Sequence, residues 1–249
     1  DAGRSLQAAL HQELQHHRTT VGLQLQHVFA GKGIRCRKPD GQTVVDRTAV
    51  GIAKWQVRRF AGLEIACWDI LGKARNRPVW ALLGGRMNDR IRSYTYLYPE
   101  PGKESAEFWV DPDAAAEAAL RFADMGFTAV KFDPAGPYTI RGGHEPAMSD
   151  ITRSVAFCKA IREAVGDRVD LLFGTHGQFT TPGAIRMGRE LEPYNPLWYE
   201  EPIPPDNLLE FAEVAKSVRV PLATGERVLT KWDFAPYLNG HLIDFAQPD

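Results

Sequence analysis

The pattern of apolar and polar positions changes character along the chain. Positions 1–55 show only weak helical periodicity, over 5–17, in a stretch rich in Gln and His. From Val57 the pattern sharpens. Leu63, Ala66, Cys67, Ile70, Leu71 and Ala74 recur at i, i+3, i+4 spacing and predict an amphipathic helix. Pro78 opens a second short helical segment, stopped by Gly84 and Gly85. Beyond it, strand-like runs at 91–98, 128–132, 169–173, 197–200, 220–224 and 242–247 alternate with helical patterns. Those helices are predicted at 112–125, 150–165, 182–191, 207–217 and 231–238. Strand and helix in strict alternation predict βαβα units and therefore parallel strands. No mutual similarity links the units, so a barrel or a doubly wound sheet is expected, not a solenoid.

Composition narrows the functional classes. With 30 basic and 31 acidic residues the formal net charge is -1. No chain-wide positive field exists to hold nucleic acid or an anionic membrane, so neither is expected as a partner. Cys36, Cys67 and Cys158 are odd in number and far apart. They predict free thiols in a reducing compartment, and cytoplasmic localisation is the expectation. No apolar run is long enough to span a bilayer, and the N-terminus has no basic start followed by an apolar stretch. His11, His16, His17 and His27 cluster in the first 55 residues, but His16 and His17 fall on different helix faces, which favours a solvated helix over a metal site.

Candidate chemistry collects where the strands are expected to end. In a parallel barrel, catalytic groups sit at the C-terminal ends of strands. Those ends carry Lys131 and Asp133, then His176, then Glu200 and Glu201, then Glu226 beside Arg227, and finally Asp249. The connection over 134–150 is long for a βα loop and follows a strand that ends in charged groups. It predicts a cover over the pocket mouth, with Arg141 and His144 either holding substrate hydroxyls or a distal carboxylate, or forming a polar lid. Tyr94, Tyr96 and Tyr98 alternate on the first strand, share one face, and are read as barrel or pocket packing.

Several motifs occur in order and carry a resemblance over about residues 60–249. The stretch from Gly62 to Lys73, the Pro78-Val79 pair and Leu82-Leu-Gly-Gly85 look like a first barrel helix and its approach. Glu200-Glu-Pro and Gly225-Glu-Arg look like metal-ligand strands, and Gln247-Pro-Asp249 like the strand that bears the Asp of an Asp–His dyad. Spacings of 26 residues from Glu200 to Glu226 and 23 from Glu226 to Asp249 agree. In these features the chain resembles the enolase superfamily, in its mandelate racemase/muconate lactonizing enzyme family, and there the mandelate racemase subgroup. The resemblance implies a TIM-type (β/α) barrel after an α+β capping domain. It also implies Mg²⁺ as cofactor, and a reaction that removes the proton α to a carboxylate. The resulting enediolate needs a cation on its oxygens and a strand-end base for its proton. Glu200 and Glu226 are the implied ligands, oxygen donors suited to a hard ion. The plainer alternative is that each is a buried acid paired with an arginine such as Arg227.

Two positions depart from the family pattern. Lys131 matches the first Lys of a Lys-x-Lys strand, but the second position is Asp133. Lys131 is then expected against the substrate carboxylate or the metal ligands, with a solvated lysine as the alternative. Asp133 is a further candidate to approach the metal or substrate, whereas Asp170 begins its strand and points to the opposite barrel end. The first metal ligand of the family is an acid 26 residues before Glu200, and here that position is Gly174. His176 matches the histidine that some acid-sugar dehydratases of the subgroup use to protonate a departing hydroxyl. Three readings stay open for it: that acid, a substitute metal ligand, or a structural histidine.

The expected organisation is a partial or divergent capping region at 1–55 and a partial barrel at 56–249. Six strands are legible where the family has eight, so a C-terminally truncated chain is expected. The function implied is Mg²⁺-dependent proton abstraction from a sugar acid, in a dehydratase of carbohydrate-acid catabolism. The alternatives are a cycloisomerase or racemase on a sugar acid or lactone, and a catalytically dead chain. The partner is a small sugar acid, with assembly into a homo-oligomer as a further expectation.

Overall fold

The computed structural model describes residues 35–37, 43–45, 47–100, 105–136 and 143–248. Two compact units divide the chain between Arg86 and Met87. In the first, strands β1 (Arg35–Arg37) and β2 (Thr43–Val45) pair antiparallel. Helix α1 (Arg47–Arg75) follows, then the single turn α2 (Val79–Leu82) after Pro78. The boundary expected at 55/56 falls inside α1. The apolar positions that predicted this helix stay in water, Leu63 at 64% and Ile70 at 58% exposure. The helical pattern is real, but among the described residues its stripe stays largely exposed, with Cys67 half-buried.

The second unit alternates strand and helix throughout. Its elements are β3 (Thr95–Tyr96), α3 (Ser105–Phe108), α4 (Pro112–Asp124), β4 (Ala129–Phe132), α5 (Met148–Val165), β5 (Asp170–Gly174), α6 (Thr181–Leu191), β6 (Trp198–Glu200), α7 (Leu208–Ser217), β7 (Leu222–Thr224), α8 (Lys231–Asn239) and β8 (Phe245–Ala246). The six strands from β3 to β8 pair in sequence order, every pair parallel. This is the expected TIM-type barrel pattern, carried through six strands. The first strand is shorter than its alternating pattern predicts, two residues instead of eight, and Ile91 is 85% exposed.

Strand alternation sorts the side chains into two layers. Val130, Phe132, Leu171, Phe173, Tyr199 and Leu222 point outward and bury against the helices. Phe132 meets Phe173 edge-on at 5.8 Å, and Phe173 meets Tyr199 at 5.9 Å. On the other face, Ala129, Leu172, Trp198 and Ala223 form a separate small cluster. Lys131, Gly174 and Glu200 share that inner face and lie one alternation nearer the strands' C-terminal ends. The hydrophobic layer is thus a floor, and the polar residues stand on it. At the opposite end Asp170 is held by Arg92 at 2.6 Å, away from this group.

Candidate active site at the strand ends

Glu200, the last residue of β6, is the centre of the polar group. Its Oε1 receives the Lys131 ammonium from β4. Its Oε2 accepts from the Trp198 indole N–H at 3.1 Å and from the Gln247 amide at 2.8 Å. Glu200 is 4% exposed and Lys131 7%. A carboxylate at that depth is tolerable only with compensating donors, and β4, β6 and the residue after β8 supply them. Gly174 faces the same space. A Cβ built on it would lie 3.2 Å from Lys131 Cε and 3.6 Å from Asp133 Cβ.

Glu201 turns the other way, and its left-handed φ of 45° is what separates the two adjacent acids. Its Oε2 accepts from Arg227 Nη2 at 2.6 Å and Nε at 3.0 Å, and its Oε1 from the Thr224 hydroxyl at 3.3 Å. Burial pushes its carboxyl up, and the Arg227 guanidinium opposes that shift. The arginine pairing considered for Glu200 or Glu226 is therefore found at Glu201. Arg227 Nη2 also donates to the His176 carbonyl at 3.1 Å. The Thr175 hydroxyl donates to the carbonyls of Glu200 and Glu201 at 2.9 and 2.7 Å. The ends of β5, β6 and β7 are locked together by these bonds.

His176 follows β5 in the left-handed region, at φ 52°. Such a conformation is costly for a non-glycine residue and recurs at functional sites. Its Nδ1 lies 3.5 Å from Asp133 Oδ2. Burial lowers the imidazole below its ordinary value. Lys131 and Arg227 reinforce that shift, and the charges of Glu226 and Glu200 oppose it. Burial also pushes Asp133 up to about 6, against the hydrogen bond from Tyr96 and the charge of Lys131, with Glu200 adding to the rise. Tyr96 is itself pushed up, first by burial and then by Asp133.

The charges of Lys131, Glu200 and Glu226 thus reach His176, and those of Lys131 and Glu200 reach Asp133, at one end of the sheet. Arg141 and Asp249 lie outside the described residues. His144 lies against the segment after β5. Its backbone brackets the segment after β5, donating to Gln178 O at 2.8 Å and accepting from Thr180 N at 3.0 Å, and its ring meets Phe179 edge-on. Tyr96 stacks on Tyr98 at 5.1 Å, while Tyr94 packs edge-on to Trp198 at 5.5 Å. Sequence reasoning missed the donors Trp198 and Gln247, the pair Glu201–Arg227, and Gln178. The last is 1% exposed, with neither side-chain amide atom hydrogen-bonded. Only Trp198, two residues before Glu200 and so on the same face, carried a usable signal.

Whether this donor set suits the implied divalent ion can be judged from the side chains. Glu200 and Glu226 provide hard oxygen donors at adjacent strand ends. Against that, Glu200 already accepts from three N–H groups, and the third acid position is glycine. Among the described residues, no group of three or more His, Cys, Asp or Glu side chains is arranged to hold a metal. The residues as they stand do not fit the ion.

Comparison with known proteins follows the same lines. The family described as enolase C-terminal domain-like matches residues 113–249. The chain is 36% identical over 195 residues to a D-gluconate/D-galactonate dehydratase of Picrophilus torridus, covering 76% of this chain and 46% of that protein. It is 34% identical to a D-xylonate dehydratase of Haloferax volcanii, covering 78% and 46%. A mandelate racemase/muconate lactonizing enzyme-like protein from Roseovarius sp. TM1035 superposes with a TM-score of 0.74 at 65% identity, over 77% of this chain and 48% of that one. The chain therefore spans about half the length of the relatives it matches. The motif order, the parallel strand-and-helix array and these matches converge: the chain belongs to the enolase superfamily, in the mandelate racemase/muconate lactonizing enzyme family.

Proposed function

We propose that this chain belongs to an acid-sugar dehydratase. The reaction removes the proton α to a sugar acid's carboxylate and expels the neighbouring hydroxyl as water, leaving a 2-keto-3-deoxy acid. The observation that carries the reading is His176 at the end of β5, with Nδ1 3.5 Å from Asp133 and Glu226 and Lys131 in its field. Elimination needs a proton for the departing oxygen, and an imidazole at a strand end is a suitable donor. The relatives named as gluconate, galactonate and xylonate dehydratases support the substrate class.

The roles divide by strand. A strand-end base takes the α proton, and the electron pair moves onto the carboxylate as an enediolate. By the resemblance, that base belongs to the dyad of which Asp249 is one half. The enediolate then expels the β-hydroxyl. The C–O bond breaks as His176 delivers its proton, and the enol product tautomerises to the ketone. The developing charge on the carboxylate oxygens falls beside Lys131, whose ammonium is already fixed by Glu200.

The test is a panel of gluconate, galactonate and xylonate, with the 2-keto-3-deoxy product measured directly. His176→Asn is expected to lower turnover by about 10²–10⁴-fold, the usual worth of one positioned acid. Unchanged turnover in that variant would reject the acid role. Exchange of the α proton with solvent deuterium without any keto product would instead indicate a racemase or cycloisomerase.

A further inference from the structure

We propose that Lys131, in place of a divalent metal ion, is the resident cation at Glu200. Two observations carry this. The first is engagement: both carboxylate oxygens of Glu200 accept hydrogen bonds, from Lys131, Trp198 and Gln247, and the residue is 4% exposed. A metal entering there must displace an ammonium that compensates a buried charge. The second is Gly174. Its φ is not in the left-handed region, so backbone conformation does not account for glycine at this point. Space bears on it: a Cβ there would approach Lys131 Cε to 3.2 Å, so an acid at 174 would crowd the lysine stem, which would have to shift. Loss of the third acid and inward placement of the lysine are two sides of one exchange. An ammonium has three donors and Glu200 accepts one, which leaves donors for an incoming carboxylate oxygen.

The inference concerns the site of the proposed dehydration and rests on that reading only for the identity of the incoming carboxylate. Its test therefore uses metal binding without substrate, so either claim can fail alone. Mn²⁺ is titrated into the 249-residue chain, and the free ion is followed by electron paramagnetic resonance. The wild type and Glu200→Gln are expected to bind Mn²⁺ equally weakly. Lys131→Met combined with Gly174→Asp, which frees Glu200 and supplies the third acid, is expected to bind about 10–100-fold more tightly, the range by which neighbours of a metal ligand shift its affinity. Saturable binding in the wild type that Glu200→Gln abolishes would overturn the proposal. So would a folded double variant that binds no better than wild type, because Lys131 would then not be what keeps the ion out. If the double variant fails to fold, by circular dichroism, the wild-type and Glu200→Gln pair decides alone. Equal binding supports the lysine, and a loss in Glu200→Gln rejects it.

Discussion

Gly177 sits at φ 63°, and a Cβ there would collide with Arg227 Nη2, the atom that holds both Glu201 and the His176 carbonyl. Gly177→Ala is therefore expected to cost about 2–4 kcal/mol in chemical denaturation, from backbone strain together with a weakened, partly buried ion pair. A loss within experimental error would mean that Arg227 swings aside freely. Asp133 gives a pH-dependent expectation. Its carboxyl titrates near 3.8 in an unfolded chain and is pushed up to about 6 by burial. Between those values the folded chain binds the extra proton, so this group's contribution to stability is present below the lower value and lost as pH rises through the upper one. Asp133→Asn keeps an acceptor for Tyr96 and removes the titration. Relative to wild type it should gain roughly 1–3 kcal/mol on going from about pH 4 to pH 7, measured by denaturation at each pH. A pH-independent difference would show that Asp133 titrates normally. At this scale the sequence was only partly legible. Motif order picked out Glu200, but which of two adjacent acids turns inward depends on Glu201 adopting φ 45°, and no pattern of residue types announces that.

Helix boundaries follow local chemistry closely, and there the sequence is most legible. Asp111 accepts from the backbone N–H of Asp113 and Ala114 at 3.0 and 3.1 Å, with Pro112 in the first turn, and α4 begins within the expected range. Gly126, at φ 96°, follows its end. Asp111→Ala should cost about 1 kcal/mol by denaturation, the ordinary worth of one N-cap, and no measurable loss would mean that Pro112 sets the boundary alone. Asn207 and Thr230 cap α7 and α8 in the same way. The start of α5 was harder to see because Ala147 has no side-chain acceptor. Asp150 completes only the reciprocal half, accepting from Ala147 N at 3.2 Å, and the helix begins at Met148, two residues before the pattern suggests. The strands are legible in order but not in length. Ile91 and its neighbours alternate as a strand would, yet the ladder to β4 takes in Thr95 and Tyr96, extended by the Leu97 N–H donating to Lys131 O at 2.8 Å.

The whole second unit is held by a sheet whose middle and margins differ. Leu171, Leu172 and Phe173 of β5 are wholly buried, and β5 pairs on both sides, whereas β3 and β8 pair on one side only among the described residues and are two residues long. Native-state hydrogen exchange should therefore be slowest at the β5 amides and much faster at Thr95–Tyr96 and Phe245–Ala246. Uniform protection across all six strands would contradict this gradient. The parallel order was legible because alternating runs of strand and helix leave few topologies. The ion pair at its centre was not, because Lys131 and Glu200 are 69 residues apart and meet only through the pairing of three strands.

The Gln247 amide on Glu200 bears on the order in which the chain organises itself. Gln247 reaches Glu200 across 47 residues, and its backbone passes so close to Gly225 that any side chain there would strike it. Loop closure over such distances is slow compared with the local turns that nucleate helices. On refolding, the helices and the β4–β5 pair can precede the charged centre, which waits for β8 to dock before Glu200 gains its third donor. Trp198 stands against Glu200 and against Phe245 of that same strand, with ring centroids 5.1 Å apart. Its fluorescence is therefore expected to follow the docking of β8, separate from the far-ultraviolet signal of the helices that come before it.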